Sequence, residues 1–310
     1  MRIVVALGGN ALLKRGEPMT ADNQRANIRR AATVLAELIA AGHALVITHG
    51  NGPQVGLLAL QAAATPQAPF PLDVLDAESA GMIGYVLQQE LGNAVRDRLF
   101  AALLTQVRVD PHDPAFGAPT KPIGPVYDET AARRLAAERG WRIAPDNDKW
   151  RRVVASPKPL SIVEAEVLSF LVARGVVVIC AGGGGIPVVE CEDGSLVGVE
   201  AVVDKDFASA LLARQLDADL LLMLTDVDAV YAGWGGPSAR PLGHVTARDL
   251  SPADFPAGSM RPKIEAAVDF ARATGRPAAI GRLEDAVEIV AGTRGTRIGP
   301  DETTGATGPA

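Results

Sequence analysis

Residues 2–10 of the chain read RIVVALGGN, and residues 44–52 read ALVITHGNG. Each segment is a short apolar run, rich in β-branched residues, that ends in glycine, which is typical of a buried strand followed by a tight turn. Apolar residues recur with helical spacing from Asn23 to Ala41, and a second helix is predicted from about Gln54. The chain therefore repeats strand, glycine-rich turn and helix. This order predicts a parallel sheet with crossover helices.

The rest of the chain continues this alternation outside one central segment. The predicted elements are a helix at Asp73–Arg98, a strand at Leu99–Val107, a helix at Val163–Arg174, a strand at Val176–Cys180, a hairpin of Val188–Glu192 with Ser195–Val199, a helix at Lys205–Leu216, a strand at Leu220–Thr225, a helix at Pro262–Thr274, a strand at Ala278–Ile280 and a helix at Glu284–Ala291. The Asp193-Gly194 pair favours the turn of that hairpin.

Residues 110–159 interrupt the alternation. The segment is rich in proline, glycine and charge, with one short predicted helix at Glu129–Arg139. Trp141, Trp150 and Val153 offer apolar surface for packing, so we interpret it as an inserted, protruding lobe. The final residues, 299–310, contain mainly Gly, Thr and Pro and are predicted to be a disordered tail.

Composition narrows the class of protein. The chain has 310 residues, 48% of them hydrophobic, which is enough for a large core, and its net charge of −6 argues against a nucleic-acid partner. Its 30 Lys and Arg residues include few lysines, so each lysine is of interest as a compact, mobile cation. The two cysteines form no metal-ligand pattern, and the N-terminal apolar run is too short for a signal peptide or a membrane span. We expect a cytoplasmic protein with no membrane or metal-ligating segment.

Three glycine-rich turns are candidate anion sites. Gly8-Gly9-Asn10 and Gly50-Asn51-Gly52 follow the first two strands, and Gly182–Gly185 follows a later one. Neighbouring parallel strands end at the same edge of a sheet, where ligands collect, and glycine lets backbone N–H groups approach a phosphate. Each turn alone could be an ordinary connection or a flexible linker. His49, beside the second turn, is interpreted as a structural residue and not as a base.

Charged residues at two predicted helix starts are the second signal. Asp204-Lys205-Asp206 could place a lysine at a phosphoryl group, although an aspartate at a helix start is also a common cap. Lys263 lies in the first turn of its helix, where the helix dipole disfavours a cation, so an anion is expected nearby. The loop after strand Leu220–Thr225, with Asp226 and Asp228, suits the edge of a nucleotide pocket but lacks the other ligands of a calcium loop.

Together, these segments resemble the carbamate kinase branch of the amino acid kinase family. The matching stretches are VVALGGNAL, THGNGPQVG, PTKPIGP, KWRRVVASPKP, CAGGGGIPVV, VEAVVDKDFASALLA, LLMLTDVDAVY and GSMRPK. They are in the order of that family and span about residues 2–298. Two departures are Arg261, where many relatives carry a small residue, and Asp146-Asn147-Asp148, where a glycine-bearing stretch is expected.

The resemblance implies a fold. It implies a three-layer αβα sandwich around a mainly parallel open sheet of about eight strands, with the inserted lobe protruding from it. Residues 1–298 would form one kinase domain, with an N-terminal phosphoacceptor half at about 1–216, a lid lobe at about 110–159 and a C-terminal nucleotide half at about 217–298. It also implies a homodimer.

The resemblance implies the site and the reaction as well. The reaction is ATP + carbamate = ADP + carbamoyl phosphate, reversible and often run towards ATP, with Mg²⁺ carried by the nucleotide phosphates. The implied catalytic residues are Lys121, Lys205, Asp206 and Lys263; those for substrate and phosphate are Gly8, Gly9, Asn10, Gly50, Asn51, Gly52, Gly183 and Gly184; those for nucleotide are Thr225, Asp226, Val227, Tyr231 and Met260. The implied partners are the small molecules carbamate or carbamoyl phosphate and ATP or ADP, together with a second copy of the chain; no nucleic acid and no membrane are expected.

Two alternatives stay open on the sequence. Another acyl-phosphate or phosphate kinase of the same superfamily would share the nucleotide half but not the lobe that carries Lys121. A non-catalytic ligand-binding regulator on the same fold would not need the three motif lysines.

Overall fold

The computed structural model describes residues 1–13, 16–63, 70–146, 148–256 and 260–301. In chain order its strands are β1 (Arg2–Leu7), β2 (Ala44–His49), β3 (Phe100–Ala102), β4 (Gln106–Val109), β5 (Lys121–Tyr127), β6 (Arg142–Asp146), β7 (Lys149–Val154), β8 (Pro159–Ile162), β9 (Val177–Ile179), β10 (Ile186–Glu190), β11 (Leu196–Gly198), β12 (Leu220–Thr225), β13 (Tyr231–Ala232), β14 (Arg240–Pro241), β15 (His244–Thr246), β16 (Ala278–Arg282) and β17 (Thr296–Gly299). The α-helices are α1 (Gly9–Leu12), α2 (Ala21–Ala40), α3 (Gly52–Ala63), α4 (Leu72–Ala94), α5 (Glu129–Arg139), α6 (Ala165–Ala173), α7 (Lys205–Gln215), α8 (Met260–Thr274) and α9 (Ala286–Val290).

The central sheet has the strand order β15-β17-β16-β12-β1-β2-β9-β3 in the described part of the chain. All neighbours in it are parallel except β16 and β17, which are antiparallel. The first strand, β1, lies between β2 and β12, so the carboxyl ends of these three strands are adjacent. The predicted fold class, an open and mainly parallel sheet of about eight strands, is confirmed.

Helices cover both faces of this sheet. Along β1, Val4 and Ala6 belong to one buried cluster, with side chains of α6, α7 and α8, while Ile3, Val5 and Leu7 belong to a second cluster, with side chains of α2, α4 and α9. Both faces of the strand are apolar because both are buried, which explains the unbroken hydrophobic run in the sequence. The result is the predicted three-layer sandwich. None of the helices among the described residues is long and apolar enough to cross a membrane.

One predicted strand was wrong. Leu99–Val107 is two strands, β3 in the central sheet and β4 in a second sheet with the order β11-β10-β4-β8. The chain changes sheets between them: the Leu103 N–H donates to Ile179 of β9, whereas Thr105 accepts from Ile186 of β10. A continuous apolar run in the sequence does not show that its two halves pair with strands of different sheets. The predicted hairpin is confirmed as the antiparallel pair β10 and β11, although β10 begins at Ile186.

Several predicted helix boundaries shift for local reasons. Helix α2 begins at Ala21 and not Asn23, because the side chain of Thr20 accepts a hydrogen bond from the Asn23 N–H and caps the helix. Helix α4 ends at Ala94, four residues before the predicted Arg98, where Val95 turns to extended backbone. Predicted helix Glu284–Ala291 is a 3₁₀ turn followed by α9.

The inserted segment is a small lobe of its own. Strands β5, β7 and β6 form a three-stranded antiparallel sheet, and α5 packs against it. The three predicted packing residues take part. Val153 is buried. The Arg133 guanidinium lies 5.2 Å from the centre of the Trp150 ring, and those of Arg139 and Arg152 each lie 5.1 Å from the centre of the Trp141 ring. The predicted tail begins inside β17, and Asp301 pairs with Arg272; residues 302–310 lie outside the described part.

Two glycines form one of the contacts between the lobe and the rest of the molecule. Gly56 of α3 and Gly124 of β5 lie backbone to backbone, and a Cβ added to Gly56 would come 1.9 Å from the Gly124 Cα. A side chain at Gly56 would therefore force strand and helix apart. This close approach fixes how far Lys121, three residues before Gly124, extends towards the central sheet.

Candidate active site

A cavity of about 890 Å³ lies where the carboxyl ends of β1, β2 and β12 meet the lobe. The predicted site residues that line it are Gly8, Gly9, Gly50, Asn51, Gly52, Lys121, Gly183, Lys205, Asp206, Thr225, Asp226, Val227, Tyr231, Met260 and Lys263. Gly184 lies beside this surface, and the side chain of Asn10 is outside the described part of the structure. Residues separated by more than 250 positions thus converge in one cavity, as expected for the carboxyl edge of a parallel sheet.

The glycine turns are tightly packed against one another. A Cβ on Gly8 would lie 2.9 Å from the Leu224 carbonyl oxygen of β12, and one on Gly183 would lie 2.2 Å from the Asn51 side-chain nitrogen. Gly183 also has a positive φ of 72°, which disfavours any other residue. Gly184 leaves room for the Val203 carbonyl, 2.2 Å from where its Cβ would be. These glycines bring backbones close together as well as leaving space for a ligand.

The Asn51 side chain is held by two residues of α4 that sequence reasoning missed. Its Nδ2 donates to Asp76 Oδ1 at 3.0 Å and to Ser79 Oγ at 2.8 Å, and all three residues are buried. Burial raises the pKa of Asp76 well above its ordinary value, although the hydrogen bond from Asn51 opposes this. Asp76, Ser79 and Ile83 have helical spacing on the buried face of α4, and two polar residues on such a face were the available signal.

Three lysines and two aspartates form the charged centre of the cavity. Asp206 accepts from Lys205 Nζ at 2.7 Å through one oxygen and from Lys263 Nζ at 2.8 Å through the other. The expected anion near the start of α8 is therefore the Asp206 carboxylate. Lys121 reaches in from β5 and binds Asp204 Oδ2, a pairing across 83 residues that the sequence did not reveal.

Burial and charge act against each other in this cluster. Burial raises the pKa of Asp206, but the charges of Lys205 and Lys263 outweigh it, so the pKa is held below its ordinary value. Burial lowers the pKa of Lys205, yet Asp206 and Asp204 raise it overall. The pKa of Lys263 is lowered, because its burial and the nearby Lys205 charge outweigh the attraction of Asp206. The carboxylate form of Asp206 thus holds two ammonium groups side by side in a site shielded from water.

The other end of the cavity is lined by the loop after β12. Thr225, Asp226 and Val227 line it, together with Tyr231 and Trp234, whose rings meet edge to face at 5.4 Å. Trp234 was not predicted, because a single tryptophan in a glycine-rich loop has no motif. An apolar wall with aromatic edges is suited to a flat heterocycle.

Arg261, one of the departures from the family pattern, supports the wall of this part of the cavity. Its guanidinium donates to the carbonyl of Phe255 at 3.0 Å and to that of Ala253 at 3.3 Å. Phe255 itself lines the cavity. Arg261 therefore acts on the backbone of residues 253–255.

His49 is buried beside the glycine turn Gly182–Gly184. A Cβ on Gly182 would lie 2.6 Å from its ring, and Nδ1 lies 3.2 Å from the Gly50 carbonyl. Burial lowers the pKa of His49 to about 4, so the ring is neutral near pH 7. A neutral ring held against the backbone agrees with the predicted structural role.

The cavity can hold and polarise phosphate groups. It combines glycine turns at strand ends, the start of α3, and lysine ammonium groups held in place by carboxylates. Such groups stabilise charge that moves between oxygens without needing a nucleophilic side chain. The fold and the site together define a phosphoryl-transfer enzyme of the open αβα type.

The chain belongs to the amino acid kinase family, whose model matches residues 1–282. It is 57% identical over 300 residues to a carbamate kinase of Haemophilus influenzae, with 96% of each chain covered. A structure of carbamate kinase from Giardia lamblia bound to citric acid is similar with a TM-score of 0.91 and 40% identity, over 97% of this chain and 98% of that one. A structure of the same kinase bound to AMP-PNP has a TM-score of 0.88 and 41% identity, with the same coverage.

Proposed function

We propose that the protein is a carbamate kinase, a phosphotransferase that catalyses ATP + carbamate = ADP + carbamoyl phosphate. The observation that carries the proposal is the Lys205–Asp206–Lys263 arrangement at the ends of β1, β2 and β12, in a chain 57% identical to a carbamate kinase. The lobe with Lys121 favours this activity over another phosphate kinase of the family. The three lysines paired with carboxylates in this cavity favour an enzyme over a non-catalytic regulator, which would not need them.

Carbamate is already an oxyanion, so the reaction needs no general base. Backbone N–H groups of Gly8–Asn10 and Gly50–Gly52 orient carbamate and the γ-phosphoryl group. Lys205 and Lys263 neutralise charge as it moves to the oxygen that bridges the β- and γ-phosphorus atoms, and Asp206 keeps both ammonium groups in position. The same groups serve the reverse reaction, in which ADP attacks carbamoyl phosphate.

Magnesium fits this site as an ion that enters with the nucleotide. Of the cavity carboxylates, Asp206 binds two lysines and Asp204 binds Lys121, so both already serve the ammonium groups. Mg²⁺ prefers phosphate oxygens and water, and it would neutralise charge on the nucleotide. The chain's part is to bind the resulting Mg–nucleotide complex through the glycine turns and the residues after β12.

Each half of the domain is assigned one of the two substrates. We assign the phosphoacceptor to residues of about 1–216 and the nucleotide to about 217–298, where Thr225, Tyr231 and Met260 line the cavity. Residues 110–159 act as a lid that brings Lys121 to the phosphoryl group and excludes water from a hydrolysable acyl phosphate.

The first prediction is the activity itself. Purified protein should form ATP from carbamoyl phosphate and ADP in the presence of Mg²⁺, measured with a coupled hexokinase assay, and should also run forwards with ATP and carbamate. Acetylglutamate and UMP should not be phosphorylated. Folded protein that leaves carbamoyl phosphate unused but phosphorylates one of these two would contradict the proposal and favour another kinase of the family.

We also propose a homodimer in the cytoplasm. Strand β3 is the last strand of the central sheet in the described residues, and Tyr85, Leu99 and Leu104 near it are more than half exposed. An edge strand beside exposed apolar side chains is suited to pairing with a second copy. Cys180 and Cys191 are free thiols, which agrees with a reducing compartment.

A further inference from the structure

Asp204 uses its two carboxylate oxygens for two different elements. Oδ1 accepts the Asp206 N–H at 2.9 Å and so caps α7, the helix whose first two residues are Lys205 and Asp206. Oδ2 binds the Nζ of Lys121, which comes from the lobe. One buried carboxylate thus joins the start of α7 to the lobe lysine.

The direct ion pair of Asp204 is with Lys121. Lys205 and Lys263 share Asp206, whereas the carboxylate that binds Lys121 is Asp204. The Lys121 side chain is also the most exposed of the three, at 34% against 14% for Lys205 and 7% for Lys263. Asp204 is therefore the carboxylate that holds Lys121 in position, whereas Asp206 holds the other two lysines.

The backbone around Asp204 is already connected to the lobe. Lys121 of β5 pairs with Val154 at the end of β7, and the next residue, Ala155, forms a parallel bridge with Ala201. The Val202 N–H donates to the Ala155 carbonyl at 3.0 Å. The Lys121–Asp204 salt bridge adds a side-chain contact to these backbone contacts. Both join the lobe to the segment that leads into α7.

We propose that Asp204 is a positioning residue that docks the lobe lysine Lys121 over the start of α7, beside the two ammonium groups that Asp206 holds. Lys121 reaches the phosphoryl group from this docked position, and the negative charge of Asp204 keeps three lysines from repelling one another in one cavity. For its effect on catalysis, this inference rests on the proposed phosphoryl transfer.

The decisive variant is Asp204→Asn. Asparagine caps a helix as well as aspartate does, so α7 keeps its cap while Lys121 loses its carboxylate. We expect kcat to fall by about 10- to 100-fold, as for a displaced reactive group, with a small change in the KM for ADP. In the Lys121→Met background the same substitution should have a much smaller effect on kcat than in wild type, because Asp204 acts mainly through Lys121 and only its longer-range charge on Lys205 and Lys263 remains.

Asp128→Asn is the matched control. Asp128 caps α5, accepting from the Ala131 N–H at 2.8 Å, and it lies on the exposed side of the lobe. This variant should behave as wild type in kcat and in melting temperature. Asp204→Ser, a second capping residue without charge, should reproduce the effect of Asp204→Asn.

Hydrogen exchange tests the docking without any substrate. Amides of β5 and β7 should exchange roughly 3- to 10-fold faster in Asp204→Asn than in wild type, and at the wild-type rate in Asp128→Asn. Wild-type exchange and wild-type kcat in Asp204→Asn would overturn the inference, and so would an equal loss of kcat in the presence and absence of Lys121. A wild-type enzyme that does not turn over carbamoyl phosphate would instead contradict the proposed function, and exchange would still decide whether Asp204 docks the lobe.

Discussion

At the scale of single residues, the Lys205 ammonium group is the centre of the proposed chemistry. Lys205→Ala should lower kcat by roughly two to three orders of magnitude, as for removal of one preorganised donor. Affinity for ADP, measured by calorimetry, should stay nearly unchanged, because the proposed site for the nucleotide base is at the other end of the cavity. Lys158→Ala is the matched control, since Lys158 is 65% exposed and pairs with Glu265 on the surface. Turnover of Lys205→Ala within a few-fold of wild type would mean that Lys205 has only a structural place in the first turn of α7.

His49 makes stability depend on pH. Its pKa is lowered from 6.5 to about 4 in the folded protein, so between these values the unfolded chain binds a proton that the folded chain does not. Stability from this residue is complete above pH 6.5 and is lost as the pH falls towards 4, by roughly 3 kcal/mol in all. The free energy of urea unfolding should therefore fall less between pH 7.5 and pH 5 in His49→Gln than in wild type.

The control for this prediction is His112→Gln, because His112 is exposed in a loop. It should show the wild-type pH dependence. Asp76 is buried with a raised pKa and acts in the opposite direction, so the comparison is the difference between variants and not the slope of the wild type. Equal slopes for His49→Gln and wild type would mean that the pKa of His49 is the same in the folded and the unfolded chain.

At the scale of elements, the contact between α3 and the lobe is the feature to test. Gly56→Ala places a methyl group 1.9 Å from the Gly124 Cα, so α3 and β5 must separate. Overpacking of this kind costs about 1–3 kcal/mol, and it also moves Lys121 away from the cavity. We expect lower stability in urea and lower kcat together. Gly243→Ala is the control, because an added Cβ there meets nothing within 4 Å; a wild-type kcat in Gly56→Ala would mean that the lobe position is not limiting.

The elements that the sequence predicted well are those with a local signal. Strands β1, β2 and β12 have unbroken apolar runs, and the turns after them end in glycine or polar residues. Strand β17 was missed because Thr296–Gly299 is only four residues long and reads Thr-Arg-Ile-Gly, with a single large apolar residue, Ile298. Local patterns predict that an element exists, but not which neighbour it pairs with.

For the site, too, the sequence suggested individual residues but not the contacts between them. The family resemblance implied Lys121, Lys205, Asp206 and Lys263 as catalytic residues, and all four line one cavity. It did not indicate that Asp204 binds Lys121 or that Asp76 holds Asn51, since these contacts join residues 83 and 25 positions apart. Side-chain pairing between elements depends on tertiary packing, and it leaves no periodic pattern in the sequence.

At the scale of the whole molecule, the edge at β3 should form the dimer contact. Leu104→Glu introduces a charge beside the exposed Tyr85 and should shift the protein towards monomer in sedimentation velocity at micromolar concentration. Val287→Glu, at an exposed position of α9, is the control and should leave the sedimentation coefficient unchanged. A monomeric wild type, or a dimer unaffected by Leu104→Glu, would contradict the assignment of this surface.

The central place of β1 has a consequence for how the chain folds. Its two neighbours are β2, which begins at residue 44, and β12, which ends at residue 225. During synthesis at about 5–20 residues per second, one edge of β1 would stay unpaired for roughly 10 to 40 s after β1 emerges. An apolar strand with an open edge is a site for aggregation. We therefore expect slow refolding, with activity recovered only in its last phase, since non-local pairing sets the rate.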